Sequence, residues 1–242
     1  MPALPWEPNA YALPSFQRLV RIVPLAGLAI GLLPAIALGG ALLLDLGPWL
    51  AAALSVAAMT LTTGALHEDG LADTADSFGG ATQARRLEIM RDSRIGSFGA
   101  SALVLTLILR IGALATLADR GEGAIAIATV LIVAALSRTA GLMPLVFLDP
   151  ARRDGISKAV GRPAQATFWL AAGIAAGLAI LLGGAADIPV SGIVPMLGFS
   201  GLSGLALTVF AKRHLGGQTG DIAGAAQQVA EIAAMIGLLT II

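Results

Sequence analysis

The sequence contains no cysteine and few charged residues, and both shortages limit what the protein can be. Without cysteine among its 242 residues, the chain has no disulfide, no thiolate zinc site and no cysteine nucleophile. Any bound metal must take oxygen ligands or one of the two histidines. Charged residues make up 12% of the chain and apolar residues 57%, and the mean hydropathy is +0.86. Such a composition is typical of a protein embedded in a lipid bilayer and leaves no soluble domain of any size.

Long apolar runs, separated by short polar stretches, fill most of the chain. A helix of about 20 apolar residues crosses the hydrocarbon core of a bilayer. Seven such runs lie near residues 22–44, 48–66, 98–118, 124–147, 166–185, 190–210 and 222–242. We therefore predict an all-α, polytopic integral membrane protein, a single domain over residues 1–242 with about seven transmembrane helices, some of them re-entrant or broken. A break is most expected within 189–204, because this stretch contains Pro195 and several glycines.

Basic residues occupy every second connection between the apolar runs. They are Arg18 and Arg21, the clusters 85–94 and 152–162, and Lys212 with Arg213. The intervening connections are short and contain only Arg120 as a base; they lie near Asp45, 119–122 and Asp187. Because cytoplasmic loops are enriched in Lys and Arg, we predict a cytoplasmic N-terminus and a C-terminus on the other side. The lipid bilayer is the expected surrounding, we expect no nucleic-acid partner, and the oligomeric state stays open.

The run from His67 to Asp76 places four acidic residues within nine positions, between two strongly apolar stretches. If the run is helical, Asp69, Asp73 and Asp76 fall at i, i+4 and i+7 and share one face of the helix. Three carboxylates on one face repel each other unless a cation neutralises them. Mg2+ is the simplest such cation, because hard divalent ions bind carboxylate oxygens and bridge them to phosphate. His67 is a candidate base or ligand beside these acids, and a solvated histidine at the membrane interface is the alternative.

Arginines follow the acids in the same polar segment, residues 67–97. They are Arg85, Arg86, Arg91 and Arg94. This order suits a metal-bound polyphosphate, since carboxylates would hold the metal and guanidinium groups would pair with the phosphate oxygens that the metal leaves exposed. The stronger substrate-binding candidates are Arg91, Asp92 and Arg94. Attraction to anionic lipid head groups is the alternative for the arginines.

A second polar loop, residues 212–221, combines bases, glycines and one acid. Its substrate-binding candidates are Lys212, Arg213, Gly217, Thr219 and Gly220. Glycines allow exposed backbone N–H groups to curl around an anion, and the two bases add positive charge. Asp221 is either a further metal ligand or the N-cap of the last helix. The loop is not a Walker A motif, because no Lys-Ser or Lys-Thr follows the glycines at the required offset. We predict a cytoplasm-facing catalytic region around 67–97 and 211–221.

The last apolar run contains an ionisable residue, Glu231, inside the bilayer. At helical intervals, one side of this run would carry Asp221, Gly224, Gln228 and Glu231. A charged group at such a depth is costly and is by default a functional candidate or the partner of a base. Arg110 and Arg138, in the third and fourth runs, are the available bases. Arg138 and Glu231 are therefore substrate-binding candidates, with a structural ion pair as the alternative.

Three segments together carry a resemblance to a known family. They are Leu66 to Asp76 (LHEDGLADTAD), Glu88 to Gly96 (EIMRDSRIG) and Gly216 to Asp221 (GGQTGD). In this order they resemble the cobalamin synthases, or adenosylcobinamide-GDP ribazoletransferases, over most of the chain. The resemblance implies a Mg2+-dependent enzyme of vitamin B12 synthesis in the bacterial inner membrane, which joins adenosylcobinamide-GDP to α-ribazole or α-ribazole 5'-phosphate and releases GMP. The chain departs from the family pattern at Gln228, where a glutamate is expected, and at Glu68, where an apolar residue is commoner.

The reaction that this resemblance implies fits the charged residues. Attack of a ribazole hydroxyl on the cobinamide-linked phosphorus, with GMP leaving, is a phosphoryl-type transfer in which positioning and charge neutralisation dominate. The expected Mg2+ ligands, which would bridge the diphosphate to the enzyme, are Asp69, Asp73, Asp76 and Asp221. Arg91 and Arg94 would take the charge that develops on GMP. The hydroxyl proton would pass to one of the aspartates or to His67, and the sequence leaves this choice open.

Two other interpretations remain at the level of sequence. A CDP-alcohol phosphatidyltransferase would also displace a nucleoside monophosphate at a metal site. Its signature is Asp-Gly-x-x-Ala-Arg, whereas Asp-Gly-Leu-Ala at 69–72 is followed here by Asp73 and Thr74. A membrane transporter would explain the many helices and the intramembrane charges. Transporters tend to place their polar sites near the midplane, but most ionisable residues here lie at one predicted surface, which favours an enzyme.

Overall fold

The computed structural model describes residues 16–121, 123–152 and 162–242, with side chains from Leu19 onwards. These ranges are mainly helical and contain no β-strand. Their helices are α1 Phe16–Leu43, α2 Pro48–Thr63, α3 Leu66–Asp76, α4 Gln83–Ile89, α5 Ser97–Arg120, α6 Gly123–Phe147, α7 Gln165–Ala185, α8 Val190–His214 and α9 Gly220–Leu239. Most of the basic cluster predicted at 152–162, namely 153–161, lies outside the described residues.

Six of these helices are long and apolar enough to cross a membrane. They are α5 to α9 and, within α1, the segment Leu19–Leu43. Helices α2 and α3 pass the same test together as one bent segment, which gives up to seven spans. The prediction of an all-α, polytopic membrane protein with about seven helices, one of them broken, is confirmed. That residues 1–242 form one domain stays a prediction.

The second span is broken at Gly64 and Ala65. Both residues adopt the left-handed conformation, with φ of 62° and 58°, and the two helices meet at an angle of 89°. Glycine takes this conformation without steric cost, so Gly64 is a natural end for α2. The break expected within 189–204 is not found there, because α8 is continuous through Pro195. Pro195 lies in the second turn of α8, where the missing N–H removes one hydrogen bond near the start of the helix.

Helices α6 and α9 form the centre of the bundle. In the most apolar stretch of each helix, 83% of α6 and 72% of α9 is buried, against 28% in each of α5, α7 and α8. Glycines bring the backbones together at the crossings. A Cβ on Gly27 of α1 would lie 2.5 Å from the Ala134 carbonyl oxygen, and one on Gly237 of α9 would lie 2.7 Å from the Pro195 carbonyl oxygen. Close backbone packing of this kind is a main source of helix association in lipid.

Helix α3 crosses the first turns of α9 at two facing glycines. A Cβ on Gly70 would lie 2.8 Å from the Asp221 carbonyl oxygen, and one on Gly224 would lie 3.3 Å from the His67 Cα. Helix α3 also packs against α5. The side chains that follow Gly70 along α3 are therefore held beside the start of α9, which carries Asp221.

Candidate functional site

Three carboxylates from α3 and α9 form an acidic cluster, which we define as Asp69, Asp73 and Asp221. Asp69 is exposed, and the other two are half-buried. The negative charges of Asp69, Asp221 and Asp76 all repel that of Asp73, whereas the guanidinium of Arg152 attracts it. Arg152 lies 3.9 Å from the Asp221 carboxylate. The cluster therefore contains more negative than positive charge, as the helical spacing of the aspartates predicts.

A cavity of about 360 Å³ lies between α1, α3, α6 and α9, and we call it the inner cavity. Its polar lining consists of His67, Asp69, Arg138, Asp221 and Gln227. Its other walls are apolar or glycine, and they include Val23, Leu66, Gly141, Leu142, Leu145 and Gly220. Apolar walls with a few convergent polar groups are the usual composition of a small-molecule site.

A second cavity, of about 580 Å³, lies beside α4 and the start of α5, and we call it the loop cavity. Its lining includes Asp76, Arg85, Glu88, Arg91, Asp92, Arg94 and Phe98. The Arg94 guanidinium donates to the Asp92 carboxylate at 2.6 Å. The side-chain and backbone hydrogen bonds that Arg94 donates lower the pKa of Asp92 to about 2. The structure thus brings together the three predicted residues Arg91, Asp92 and Arg94.

Asp76 is bonded to the start of α5 as well as lining the loop cavity. Its carboxylate accepts hydrogen bonds from the amides of Gly96 and Gly99, at 2.7 and 2.8 Å. A carboxylate is favoured there because the first turn of a helix has unpaired N–H groups and partial positive charge. A Cβ on either glycine would collide with Asp76. This contact holds the end of α3 against α5, and a metal-binding role for Asp76 stays a prediction.

The glycines of the loop 212–221 make close contacts with neighbouring segments. Gly216, with φ of 73°, lies against Gln83, whose side-chain amide donates to the loop backbone at 2.7 Å. Gly217 is buried against the backbone of 149–151. That backbone pairs with Gln218 through two hydrogen bonds of 2.9 Å. The two glycines therefore allow the loop to pack against α4 and the end of α6, and an anion-binding role for Gly217 stays a prediction.

The other predicted residues of this loop have different locations. Thr219 is the N-cap of α9, and its hydroxyl accepts a hydrogen bond from the backbone at 3.2 Å. Gly220 and Asp221 follow it and line the inner cavity. Since Thr219 occupies the cap position, the N-cap alternative for Asp221 is wrong. Lys212 and Arg213 are exposed in the last turn of α8, outside the linings of both cavities.

A buried ion network is centred on Arg110 of α5. Arg110 is 1% exposed and lies 2.9 Å from the Glu68 carboxylate and 2.8 Å from that of Glu231. Thr60 donates to Glu68 at 3.1 Å, and Gln227 donates to Glu231 at 2.8 Å. The structure pairs Glu231 with Arg110, so the structural ion pair of Glu231 with Arg138 that the sequence left open is wrong. Glu231 lies outside the lining of the inner cavity, and a substrate-binding role for it stays a prediction.

The donor chemistry of the acidic cluster fits Mg2+. The cluster offers carboxylate oxygens, and Asp73 is surrounded by more negative than positive charge. Within 16–121, 123–152 and 162–242, no three His, Asp or Glu side chains are grouped closely enough to hold an ion between them. Mg2+ in phosphate-transfer enzymes takes only one or two protein carboxylates together with waters and substrate phosphates, so the cluster fits it without a closed protein cage.

Sequence reasoning missed Gln227 as a cavity residue and Arg152 as a partner of the acids. The side of α9 that faces the inner cavity carries Gln227, one residue before the predicted Gln228. Its spacing was the available signal, since Gln227 stands three residues after Gly224 and four before Glu231. Arg152 was counted only among the bases of its loop, and no local pattern places it beside an acid 69 residues later in the chain.

Known proteins are similar to this chain over nearly its whole length. A family model described as cobalamin-5-phosphate synthase matches residues 1–239. A protein of Azorhizobium caulinodans is 50% identical over 235 residues, which cover 96% of this chain and 87% of the relative. A protein of Xanthobacter autotrophicus is 47% identical over 245 residues, covering 99% of this chain and 90% of the relative. Both relatives are named adenosylcobinamide-GDP ribazoletransferase. No solved structure matches the chain.

Proposed function

The chain belongs to the cobalamin-5-phosphate synthase family, and from this premise we propose that it acts as an adenosylcobinamide-GDP ribazoletransferase. In the proposed reaction a hydroxyl of α-ribazole, or of α-ribazole 5'-phosphate, attacks the cobinamide-linked phosphorus of adenosylcobinamide-GDP. A new P–O bond forms to the ribazole oxygen, and the P–O bond to GMP breaks. The relatives' shared name and their identity of up to 50% support this transferase over a phosphatidyltransferase or a transporter.

The structural observation that supports this chemistry is the position of the α3 carboxylates between two cavities. Asp69 lines the inner cavity and Asp76 lines the loop cavity, about 10 Å further along the helix. Asp73 lies between them on α3. Two substrates that occupy the two cavities would therefore meet beside Asp73. We assign the diphosphate donor to the loop cavity, where Arg91 and Arg94 pair with phosphate oxygens, and the ribazole acceptor to the inner cavity.

In the proposed site, Asp69 and Asp73 would hold Mg2+, waters and the substrate's phosphate oxygens would complete its coordination, and Asp221 would add negative charge beside it. Bound there, the ion would supply positive charge against the diphosphate and the developing negative charge of the leaving group. Arg91 and Arg94 balance the remaining phosphate charge and orient the leaving GMP. The hydroxyl proton passes either to His67 of the inner cavity or to an aspartate of the acidic cluster.

The proposed function is tested by GMP release from the purified protein in liposomes. Samples receive adenosylcobinamide-GDP and α-ribazole 5'-phosphate together, each substrate alone, or both substrates with the divalent ions chelated. We expect GMP release only when both substrates and Mg2+ are present, with one cobalamin 5'-phosphate formed per GMP. GMP release that does not require the acceptor would show hydrolysis instead of transfer. The absence of turnover in folded protein with all components would contradict the transferase assignment.

We also propose that the protein lies in the bacterial inner membrane with both cavities and the N-terminus on the cytoplasmic side. The bases Arg91, Arg94 and Arg152 lie at the same end of the bundle as the cavities, as the positive-inside rule requires of a cytoplasmic end. Because the chain contains no cysteine, the orientation can be tested by labelling single introduced cysteines. In intact cells, a membrane-impermeant maleimide is expected to label Leu44→Cys but not Ser93→Cys. After lysis, it is expected to label both variants. Labelling of Ser93→Cys in intact cells would reverse the orientation.

A further inference from the structure

Arg138, in the second half of α6, is a buried arginine with hydrogen-bonding capacity that the protein leaves unused. It is 8% exposed. Its Nη1 donates to the Ala134 carbonyl at 3.1 Å, and its Nη2 donates to the Met59 sulfur at 3.3 Å, which is a weak acceptor. Its Nε has no hydrogen-bond partner. Within the described ranges no carboxylate forms an ion pair with it.

Arg110 differs from Arg138 in its bonded anions, although its Nη2 likewise makes no hydrogen bond. Its guanidinium is bonded to two carboxylates, those of Glu68 and Glu231. The same two carboxylates attract Arg138 over a longer distance, so the four groups are close to neutral as a set. Neither carboxylate bonds to Arg138, however, and a buried guanidinium without a bonded anion is costly. The arrangement indicates an anion that reaches Arg138 from the inner cavity.

The rest of the inner cavity suggests what carries this anion. Arg138 shares the lining with Asp69 and with Gln227, whose side-chain oxygen also has no hydrogen-bond partner. Val23 and Leu142 form part of the apolar wall. A volume of about 360 Å³ lies at the lower end of the usual range for small-molecule pockets. This combination suits a nucleoside monophosphate with an apolar base, since the base can contact the wall, the ribose hydroxyls can reach Asp69 and Gln227, and the phosphate can reach Arg138.

We propose that Arg138 binds the 5'-phosphate of α-ribazole 5'-phosphate and makes the enzyme prefer this acceptor to α-ribazole. The inference rests on the proposed function, which admits both acceptors without choosing between them. A guanidinium is well suited to the role, because its fork of N–H donors matches two phosphate oxygens. The bound phosphate supplies the anion that Arg138 lacks in the protein alone. The donor's diphosphate lies in the other cavity, so it does not compete for this arginine.

The test compares kcat/KM for the two acceptors in four proteins: wild type, Arg138→Gln, Arg138→Lys and Arg120→Gln. The last is the control, because Arg120 is exposed at the C-terminal end of α5, away from both cavities. We expect Arg138→Gln to lower the ratio of kcat/KM for α-ribazole 5'-phosphate over α-ribazole by about 10- to 100-fold, the usual effect of losing hydrogen bonds to a charged group. Arg138→Lys should retain part of the preference, because it keeps the charge and loses the fork. Arg120→Gln should leave the ratio unchanged.

An equal loss with both acceptors in Arg138→Gln would show that Arg138 only supports the fold, and it would overturn the inference. If that variant does not fold, inhibition of the wild-type enzyme decides the matter. Ribose 5-phosphate is then expected to compete with the acceptor, and ribose to compete at least 10-fold more weakly. Equal inhibition by the two sugars would overturn the inference. Failure of the proposed function is distinct from both results, since the wild-type enzyme would then release no GMP with either acceptor.

Discussion

Replacement of Asp73 by asparagine is expected to lower kcat for GMP release by about 100- to 1,000-fold, the range seen when a charge-stabilising group is removed from an active site. Asparagine has nearly the shape of aspartate but cannot offer an anionic oxygen to Mg2+. Because Asp69, Asp221 and Asp76 repel the charge of Asp73, its removal relieves repulsion in the metal-free protein. The thermal unfolding midpoint in EDTA should therefore be equal to that of the wild type or higher.

Asp187→Asn is the matched control for this variant. Asp187 is exposed at the opposite end of the bundle and has φ of 56°, a conformation that asparagine tolerates as well as aspartate does. The control should retain wild-type kcat and stability. If Asp73→Asn also retained wild-type kcat at saturating Mg2+, Asp73 would not belong to the metal site. A lower unfolding midpoint in EDTA would show instead that the Asp73 carboxylate is structural.

Replacement of Arg110 by methionine is expected to destabilise the protein by about 3–5 kcal/mol, the usual cost of removing one partner from a buried ion pair. The change leaves the carboxylates of Glu68 and Glu231 in the apolar interior without their bonded cation. Thermal unfolding in detergent, followed by the helical circular dichroism signal, should show a marked fall in the unfolding midpoint. Turnover should fall with it, because Glu68 is next to Asp69 on α3.

A triple variant separates the cost of unpaired charge from the cost of altered packing. In Glu68→Gln, Arg110→Met and Glu231→Gln together, the buried carboxylates are removed with the guanidinium. The triple variant leaves no buried carboxylate without a cation, which is the main cost in Arg110→Met, and Arg138 is then the remaining charge of the four groups. We expect the triple variant to unfold at a higher temperature than Arg110→Met alone. A triple variant that is no more stable than the single one would mean that the network contributes by shape and not by charge balance.

Most of the fold follows from local properties of the sequence. The predicted runs and the observed helices agree closely, because an apolar segment of about 20 residues has no other stable form in a bilayer. The exceptions lie where backbone conformation matters more than hydropathy. Gly64 and Ala65 end α2 and turn the chain by 89° into α3, whereas Pro195 does not break α8. Hydropathy detects a span, but it does not show which glycine adopts a left-handed conformation.

In the predicted site, the residues placed by helical spacing could be predicted, and the contacts between distant segments could not. Asp69 and Asp73 could be assigned to one face from their spacing alone, because helical geometry fixes the relation of residues four apart. The hydrogen bonds of Asp76 to Gly96 and Gly99 could not be predicted, since they depend on the angle at which α3 meets α5. The same holds for the contact of Gly217 with 149–151, where a glycine expected at a phosphate serves the packing of two loops.

By itself the sequence determined the membrane spans, the acidic face of α3 and the family. Each of these depends on residue composition or on the spacing of residues close together in the chain. Only the tertiary structure decided that Glu231 pairs with Arg110 and leaves Arg138 to the inner cavity, because 121 residues separate Glu231 from Arg110 in the chain. Both arginines are chemically able to pair with that glutamate, and the choice is made by the rotation and crossing of α5, α6 and α9 in the packed bundle.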